Sequence, residues 1–463
     1  MSINSAMIAG ASGLLANSSA LAAISDNIAN VNTVGYKRAT AVFTPLYRSQ
    51  GTSQQFAAGG IMSSTKLQIS ESGLLAPGSS PTDLAVSGDG FFVVSENTRG
   101  FTTTDPVAFT RAGSFHPDAN GYLQNSAGLY LAGWPVQADG TIDADPSDLS
   151  SLEIINPVSV GGAAEATTEV GLSANLQASQ AVSASEATYA AGVSTTNMSS
   201  GALTPDVEFG IPIYDSQGSV HTITLSMLKS STPNQWHAEL HVSPASEVTT
   251  GTGLVDGQIA TGIIAFDSNG NFDAANSTIS SSLNFLASNN STALGATGVQ
   301  WAAAEGISAQ TIDLALGGPS SAAGGLTQFD SASALAATSV NGTPFGDFSG
   351  VDIDASGMVY AKFTNGIVKK IYQIPVATFA NADGLEALGG GAYGVTRDSG
   401  SYTLNTAGVG SAGNLAAATL ESSNVDLATE FTNLIITQRA YSASSKIITT
   451  ADEMLDEAIR MKR

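Results

Sequence analysis

Apolar residues recur with helical spacing at both ends of this chain and with strand spacing in between. At the start, Ile3, Met7, Gly10, Leu14, Asn17, Leu21, Ile24, Ile28 and Val31 fall at alternating intervals of four and three, and all but Gly10 and Asn17 are apolar. That heptad spacing predicts a coiled-coil-like helix over residues 1–32. The opposite face, Ser5, Ala9, Ser12, Ala16 and Ser19, is small rather than charged. A helix with no charged face is not built to meet water alone. At the far end Leu427, Phe431, Leu434, Tyr441, Ile448, Leu455 and Ile459 form a second heptad stripe, with Gln438, Ser445 and Asp452 at the alternate seam positions. Neither Gly nor Pro interrupts residues 424–463, so one long helix is expected there. Asn424 is its expected N-cap, Asp426 and Glu430 suit the first turns, and Arg460, Lys462 and Arg463 suit the C-terminal dipole. Two such helices imply that the termini pair. The expected self-assembly contacts are Met7, Leu14, Leu21, Ile24, Ile28, Leu427, Phe431, Leu434, Tyr441, Ile448 and Leu455.

The middle of the chain reads as β-structure punctuated by turns. Asp354–Gly357 and Asn365-Gly366 set off alternating strands, Asn-Gly being the strongest short hairpin signal. Asp215–Gly218 and Ser268–Asn271 turn in the same way. Residues 160–205 and 286–345, rich in Ala, Ser, Gly and Thr, read as loops with short strands.

The candidate chemistry is thin. In W-H-A-E-L-H-V, His237, Glu239 and His241 share one strand face, which reads as solvent-facing; a zinc site needs further ligands with their own support. The glycines of Gly408–Gly413 imitate a dinucleotide loop without the βαβ unit that motif requires. Asp267–Asp273 imitates a calcium loop, with its glycine two positions early and Thr278 where the bidentate Glu belongs. No catalytic residue, cofactor or metal is expected, and the chain reads as non-enzymatic.

Length and composition narrow the class further. At 463 residues the chain suggests two to four domains. Only 12% of residues are charged, against about 25% in ordinary globular proteins. Ser, Thr, Asn, Gly and Ala must therefore cover the surface, as in a loop-rich, self-associating β-protein. The net charge of −23 and the absence of a basic cluster exclude a nucleic-acid partner. There is no cysteine, hence no disulfide or thiolate chemistry. Residues 1–24 lack a basic n-region and are interrupted by Ser and Asn. That fits neither a cleaved signal peptide nor membrane insertion.

Between the first helix and the β-region stands S-D-N-I-A-N-V-N-T-V-G-Y-K-R, Ser25 to Arg38, which carries the first basic residues of the chain. Asn27, Asn30 and Asn32 can satisfy backbone groups freed at a helix end, and Gly35 permits a sharp turn before Tyr36. This stretch closely resembles the N-terminal motif of the bacterial flagellar rod and hook protein family. S-N-V-D-L-A-T-E-F-T-N-L-I-I-T-Q-R-A-Y with D-E-M-L is similar to the same family's terminal helix, and Asn424, Asp426, Gln438 and Arg439 belong to that motif. T-D-L-A-V-S-G-D-G-F-F-V-V (82–94), I-P-I-Y-D-S-Q-G-S-V-H-T-I-T-L-S-M-L-K (211–229) and F-T-N-G-I-V-K-K-I-Y-Q-I-P-V-A-T-F-A-N-A-D-G-L (363–385) resemble the β-domains of the hook branch. Ser444-Ser445 departs from the asparagine common in relatives.

The resemblance implies an α+β multidomain fold in nested order. Residues 1–32 and 424–463 form the paired helical domain and 33–78 a connecting segment. Residues 79–160 and 346–423 form a discontinuous all-β inner domain, with 161–345 an inserted all-β outer domain. It further implies a structural subunit polymerising with itself into a curved, torque-transmitting tube, the alternative being a distal rod or other axial component. The implied partners are rod, hook cap and hook–filament junction proteins and the flagellar export apparatus. The implied location is the flagellum, outside the cell, after export without a cleaved signal peptide.

Overall fold

The computed structural model describes residues 3–46, 60–99, 107–137, 140–145, 148–317 and 325–461. The chain divides into two units. One takes Met1–Val160, Gly350–Lys362 and Val368–Arg463; the other takes Gly161–Ser349 and Phe363–Ile367.

The first unit carries both helices, α1 (Ile3–Ala29) and α2 (Leu427–Met461). Lys462 and Arg463, expected to close α2, lie outside the described residues. A hairpin follows α1, made of β1 (Ala39–Pro45) and β2 (Ile61–Leu67). The rest is an antiparallel sheet ordered Met358–Phe363, Val368–Gln373, Tyr130–Pro135, Phe91–Ser95, Ala108–Thr110 and Ala392–Gly394. F-F-V-V-S at its centre is buried along its whole length, as aromatic and β-branched residues favour on a paired strand. The Phe109 ring meets Phe379 edge-on at 4.9 Å, and Phe91 meets the same ring at 5.7 Å. Such edge-to-face pairs fix side-chain positions beyond simple burial.

The second unit is built from two sheets over one shared core. Val207–Tyr214, Val220–Lys229, Gln235–Ser243 and Gln258–Ala265 form a four-stranded antiparallel meander. V-E-F-G-I-P-I-Y alternates between buried and exposed along that first strand, which fixes its register. The other sheet is mixed. Its long strand Glu169–Gln177 runs parallel to Gln310–Ala315 and Leu326–Phe329 and antiparallel to Ala334–Val340. Residues 160–205 and 286–345 thus hold longer strands than expected, notably Glu169–Gln177 and Ala334–Val340. Their small residues hid the alternation, because pairing on both sides supplies the stability that side-chain bulk does not.

One turn recurs through both units. In Asp118–Gly121, Asp215–Gly218, Asp267–Gly270 and Asp354–Gly357, the glycine N–H donates to the carbonyl of the aspartate three residues before. The aspartate carboxylate accepts two further backbone N–H groups, in the last case from Ser356 at 2.9 Å and Met358 at 3.0 Å. The glycines lie at φ between 80° and 89°, a region closed to most side chains. This accounts for Asp267–Asp273 as a turn whose carboxylate is committed to Asn269 and Asn271 amides. The Asn365-Gly366 hairpin is longer than a two-residue loop: Phe363 N–H donates to Ile367 and only Gly366 has positive φ.

The expectation of a solvent-facing His237, Glu239 and His241 is overturned. Glu239 is fully buried and His241 nearly so, while His237 is half-exposed. Residues 184–203 fold over this strand face, and the Glu239 carboxylate accepts the backbone N–H of Ser199 at 2.8 Å and of Met198 at 3.2 Å. A buried carboxylate needs such donors. On the opposite side of the strand, Trp236 is fully buried with Lys229 Nζ 4.8 Å above its ring. Trp236→Ala therefore costs the second unit about 3–5 kcal/mol. Amide exchange should accelerate across residues 207–265 and stay at parental rates across 84–95; acceleration in both stretches alike contradicts the division into units.

Candidate self-assembly site at the paired termini

The two terminal helices lie side by side and antiparallel. Gly10 sits against Ile448, Gly13 against Ser444 and Asn27 against Glu430, so α1 ascends as α2 descends. A Cβ on Gly10 would come within 2.9 Å of Ile448 Cγ1, which makes glycine the condition for this approach. The buried residues of α1 continue from Gly10 through Gly13, Ala16, Ala20, Ala23 and Ile24 to Asn27. This face is one residue round from the expected seam, and it is lined by small side chains. Of the expected α1 residues Ile24 is buried, while Met7, Leu14, Leu21 and Ile28 are half-buried at its borders. On α2, Leu434, Ile448 and Leu455 are half-buried, but the intervening positions are Thr437, Ser444 and Ala451 rather than the expected Gln438, Ser445 and Asp452. The shift has a physical reason: close helix packing selects residues that let the backbones approach, whereas the sequence pattern weights bulk.

The larger apolar side chains point elsewhere. Leu427, Phe431 and Tyr441 are exposed, Phe431 at 50%. So are Ile435, Ile436, Ile447 and Met454 on α2, and Ile8 and Leu15 on α1, with Leu15 at 73%. Gln438 and Arg439 are exposed beside them. Helix α1 has the length and composition of a membrane span over Ala6–Ala29. One of its faces, however, is occupied by α2, and Asn17, Ser18, Ser19 and Ser25 are spread along it.

The stretch after α1 is held by the C-terminal segment. Asn27 Oδ1 accepts the Ala39 N–H and its Nδ2 donates to the Ala39 carbonyl, both at 2.8 Å, clamping the start of β1. The Tyr36 hydroxyl donates to Asn27 Oδ1 at 3.2 Å, and burial pushes this phenol up. Asn30 does as expected at a helix end, its Nδ2 reaching the Asp26 carbonyl at 2.9 Å; Asn32 is exposed. Gly35 has φ +70°, and a Cβ there would lie 2.7 Å from Ala112 N. Its N–H donates to the Glu421 carbonyl.

Two buried carboxylates anchor the segment. Glu421 Oε1 receives Lys37 Nζ and the Gly73 N–H, both at 2.7 Å, and its Oε2 receives Arg111 Nη1 at 3.1 Å. All three ionised side chains are at most 2% exposed. Burial pushes the Lys37 ammonium down, against the pull of Glu421. Glu430, likewise buried, takes Arg38 Nε at 2.6 Å and Asn27 Nδ2 at 3.3 Å. Sequence reasoning missed this set. The one available signal was that Lys37 and Arg38 are the first cations of a chain holding few.

The expected N-cap is corrected. Asp426 caps α2, its Oδ1 accepting the Thr429 N–H at 2.8 Å, and that bond holds its carboxyl below the usual range. Asn424 instead accepts the Arg38 N–H at 2.7 Å and donates to the carbonyls of Gln68 and Glu71. It joins three strands of chain rather than starting the helix.

Two chain ends that pair as helices, with large apolar side chains left exposed along them, are the features of a self-associating structural protein. Four family models match in chain order. Flagella basal body rod protein covers residues 7–37 and the Flagellar hook protein FlgE/F/G D1 domain 85–158. The Flagellar basal body protein FlaE D2 domain covers 194–343, and Flagellar basal body rod FlgEFG protein C-terminal covers 416–461. The flagellar hook protein FlgE of Caulobacter vibrioides is 40% identical, with 100% of each chain covered. That of Treponema pallidum is 30% identical, with 99% of each covered. A crystal structure of Helicobacter pylori flagellar hook protein FlgE2 aligns with 75% of this chain and 100% of its own, at TM-score 0.41 and 16% identity. The chain belongs to the flagellar hook protein FlgE family.

The reassigned cap is directly testable by amide exchange. Asp426→Ala should speed exchange at Thr429 several-fold, an N-cap side chain being the partner of that N–H. Asn424→Ala should leave Thr429 protected and expose the Arg38 amide. The reverse pattern would restore Asn424 as the cap.

Proposed function

We propose that this chain polymerises into the curved, flexible tube of the flagellar hook and passes motor torque through it to the filament. The observation that carries this reading is the apolar surface left on the paired helices. Ile8 and Leu15 on α1, and Leu427, Phe431, Ile435, Ile436, Tyr441, Ile447 and Met454 on α2, remain exposed in the single chain. Patches of this kind mark protein–protein contacts. Neighbouring copies cover them, setting α1 and α2 in coiled-coil-like contact within an inner tube. Contacts of this heterologous kind build an open helical polymer where the rotation from copy to copy does not close a ring. Met7, Leu14, Leu21, Ile24, Ile28, Leu434, Ile448 and Leu455 hold the two helices of one copy together and border the same contacts.

The β-rich units of each copy take no part in these helix contacts. Their surfaces are poor in charge, so neighbouring copies slide with few fixed ion pairs to break, which suits a polymer that bends. The polymer's ends meet rod, cap and junction proteins, and the subunit reaches its place outside the cell through the flagellar export apparatus. Its role is structural, not enzymatic.

Purified full-length protein, driven to polymerise with a precipitating salt, should give curved or superhelical tubes by electron microscopy. Removing residues 1–32 or 424–463, or the change Leu434→Asp, should abolish them, since the last buries an unpaired charge at a helix contact. Straight tubes favour a rod-like role, and normal tubes from Leu434→Asp contradict the packing scheme.

A further inference from the structure

The second unit is almost without cations. Residues 161–349 contain fifteen Asp and Glu residues and a single Lys or Arg, Lys229. That ammonium lies over the Trp236 ring, at the far end of strand Val220–Lys229. At the near end of the same strand stands His221, only 4% exposed, between two carboxylates. Its Nδ1 is 2.7 Å from Glu247 Oε2 and its Nε2 is 3.2 Å from Asp215 Oδ2. The Trp301 ring covers the imidazole, with centroids 4.6 Å apart, and is itself stacked on Phe285. Strand Val207–Tyr214 sets Ile213 opposite His221, and Val299–Trp301 carries no ionisable residue. Glu305, beyond that strand, is exposed.

An ionised carboxylate only accepts hydrogen bonds, and a neutral imidazole has one N–H to give. Both contacts of His221 are therefore hydrogen bonds only when the ring carries a second proton. A neutral ring turns a lone pair toward one of the two oxygens and leaves that buried contact without a donor. Within residues 161–349, a proton on this ring is the one positive charge at hand for the pair. We propose that His221 is a proton-dependent latch in the second unit, closed while the imidazole is charged and released when it is neutral. The latch ties together the turn 215–219, the turn Ala245–Glu247 and Trp301. Asp215 is the fixed side: its carboxylate is 2% exposed and also accepts the Gln217 and Ser219 amides, both at 2.8 Å. Glu247 is the side that leaves, its side chain being 21% exposed. Its carbonyl accepts the Ala302 N–H at 2.8 Å, so its release loosens the pairing of Val248–Thr250 with Val299–Trp301. The packing of this unit thus responds to the pH around it, with no contact from either chain end.

The test is amide exchange on the full-length chain at about pH 6 and about pH 9, on either side of the range in which imidazoles commonly titrate and corrected for the chemical exchange rate. Residues 245–250 and 299–302 should exchange about 10-fold or more faster at the higher pH, the scale of one lost hydrogen bond to a charged group. Residues 207–212 and 235–240 should keep equal protection, which separates release of the latch from general loosening. Glu247→Gln supplies an amide that donates to the neutral ring, so this variant should stay protected at both pH values. His221→Gln has no proton to lose and should show no pH step. A ring that only fills space predicts no step in the parent and nothing for Glu247→Gln to rescue. A parent equally protected at both pH values, or a step that persists in either variant, overturns the proposal.

Discussion

The pairing of Lys37, Arg38 and Arg111 with Glu421 and Glu430 is the constraint on which the first unit depends. The chain has few charges, yet four of them, Lys37, Arg111, Glu421 and Glu430, are buried in this cluster, with Arg38 half-buried beside them. Apolar contacts are tolerant of small shifts, whereas ion pairs with defined hydrogen bonds are not. Gly35, Tyr36 and Arg38 run beside Glu421 and Asn424 through backbone and side-chain bonds, which sets the register of both termini at once. From that register follow the clamp of Asn27 on β1, the cap at Asp426 and the line along which α2 meets α1.

The helical arm uses its residues in two ways. Glycine, alanine and serine line the face between α1 and α2, so the backbones lie close, with Gly10 and Gly13 at the closest points. The bulkier residues therefore face outward, beside no charged residue on α1 before Asp26, and beside Arg439, Lys446 and Glu453 on α2. Ordinary soluble helices turn their bulk inward and their charge outward. Inversion of that arrangement is what suits this arm to a polymer.

How much of this was legible in the sequence differs from element to element. The two long helices were legible because a sustained heptad stripe has few other readings, the second one without Gly or Pro, and the family was legible from the termini. The inward face was displaced by one residue, because periodicity is read from large apolar side chains while the contact is made by small ones such as Ala20, Ser444 and Ala451. Asn424 looked like a cap because local sequence favours it, but a tertiary bond to Arg38 took its oxygen and left Asp426 to cap the helix. Glu239 looked solvent-facing because strand alternation says nothing of another segment, residues 184–203, folding over that face. The charge cluster had no signal beyond Lys37 and Arg38 being the first cations, for its members are scattered from Lys37 to Glu430 and no local pattern links them.

The antiparallel docking of the two termini within one copy is the central claim, and the absence of cysteine makes it directly measurable. A Cβ at Gly13 would lie 3.7 Å from Ser444 Cβ, inside the range of about 3.5–4.5 Å that a disulfide spans. In a chain carrying Gly13→Cys and Ser444→Cys, mild oxidation should give a crosslink within single chains, detected by mass spectrometry and by faster migration of an undivided monomer band. Failure to form it, or crosslinks joining different chains alone, would contradict the paired arrangement of α1 and α2.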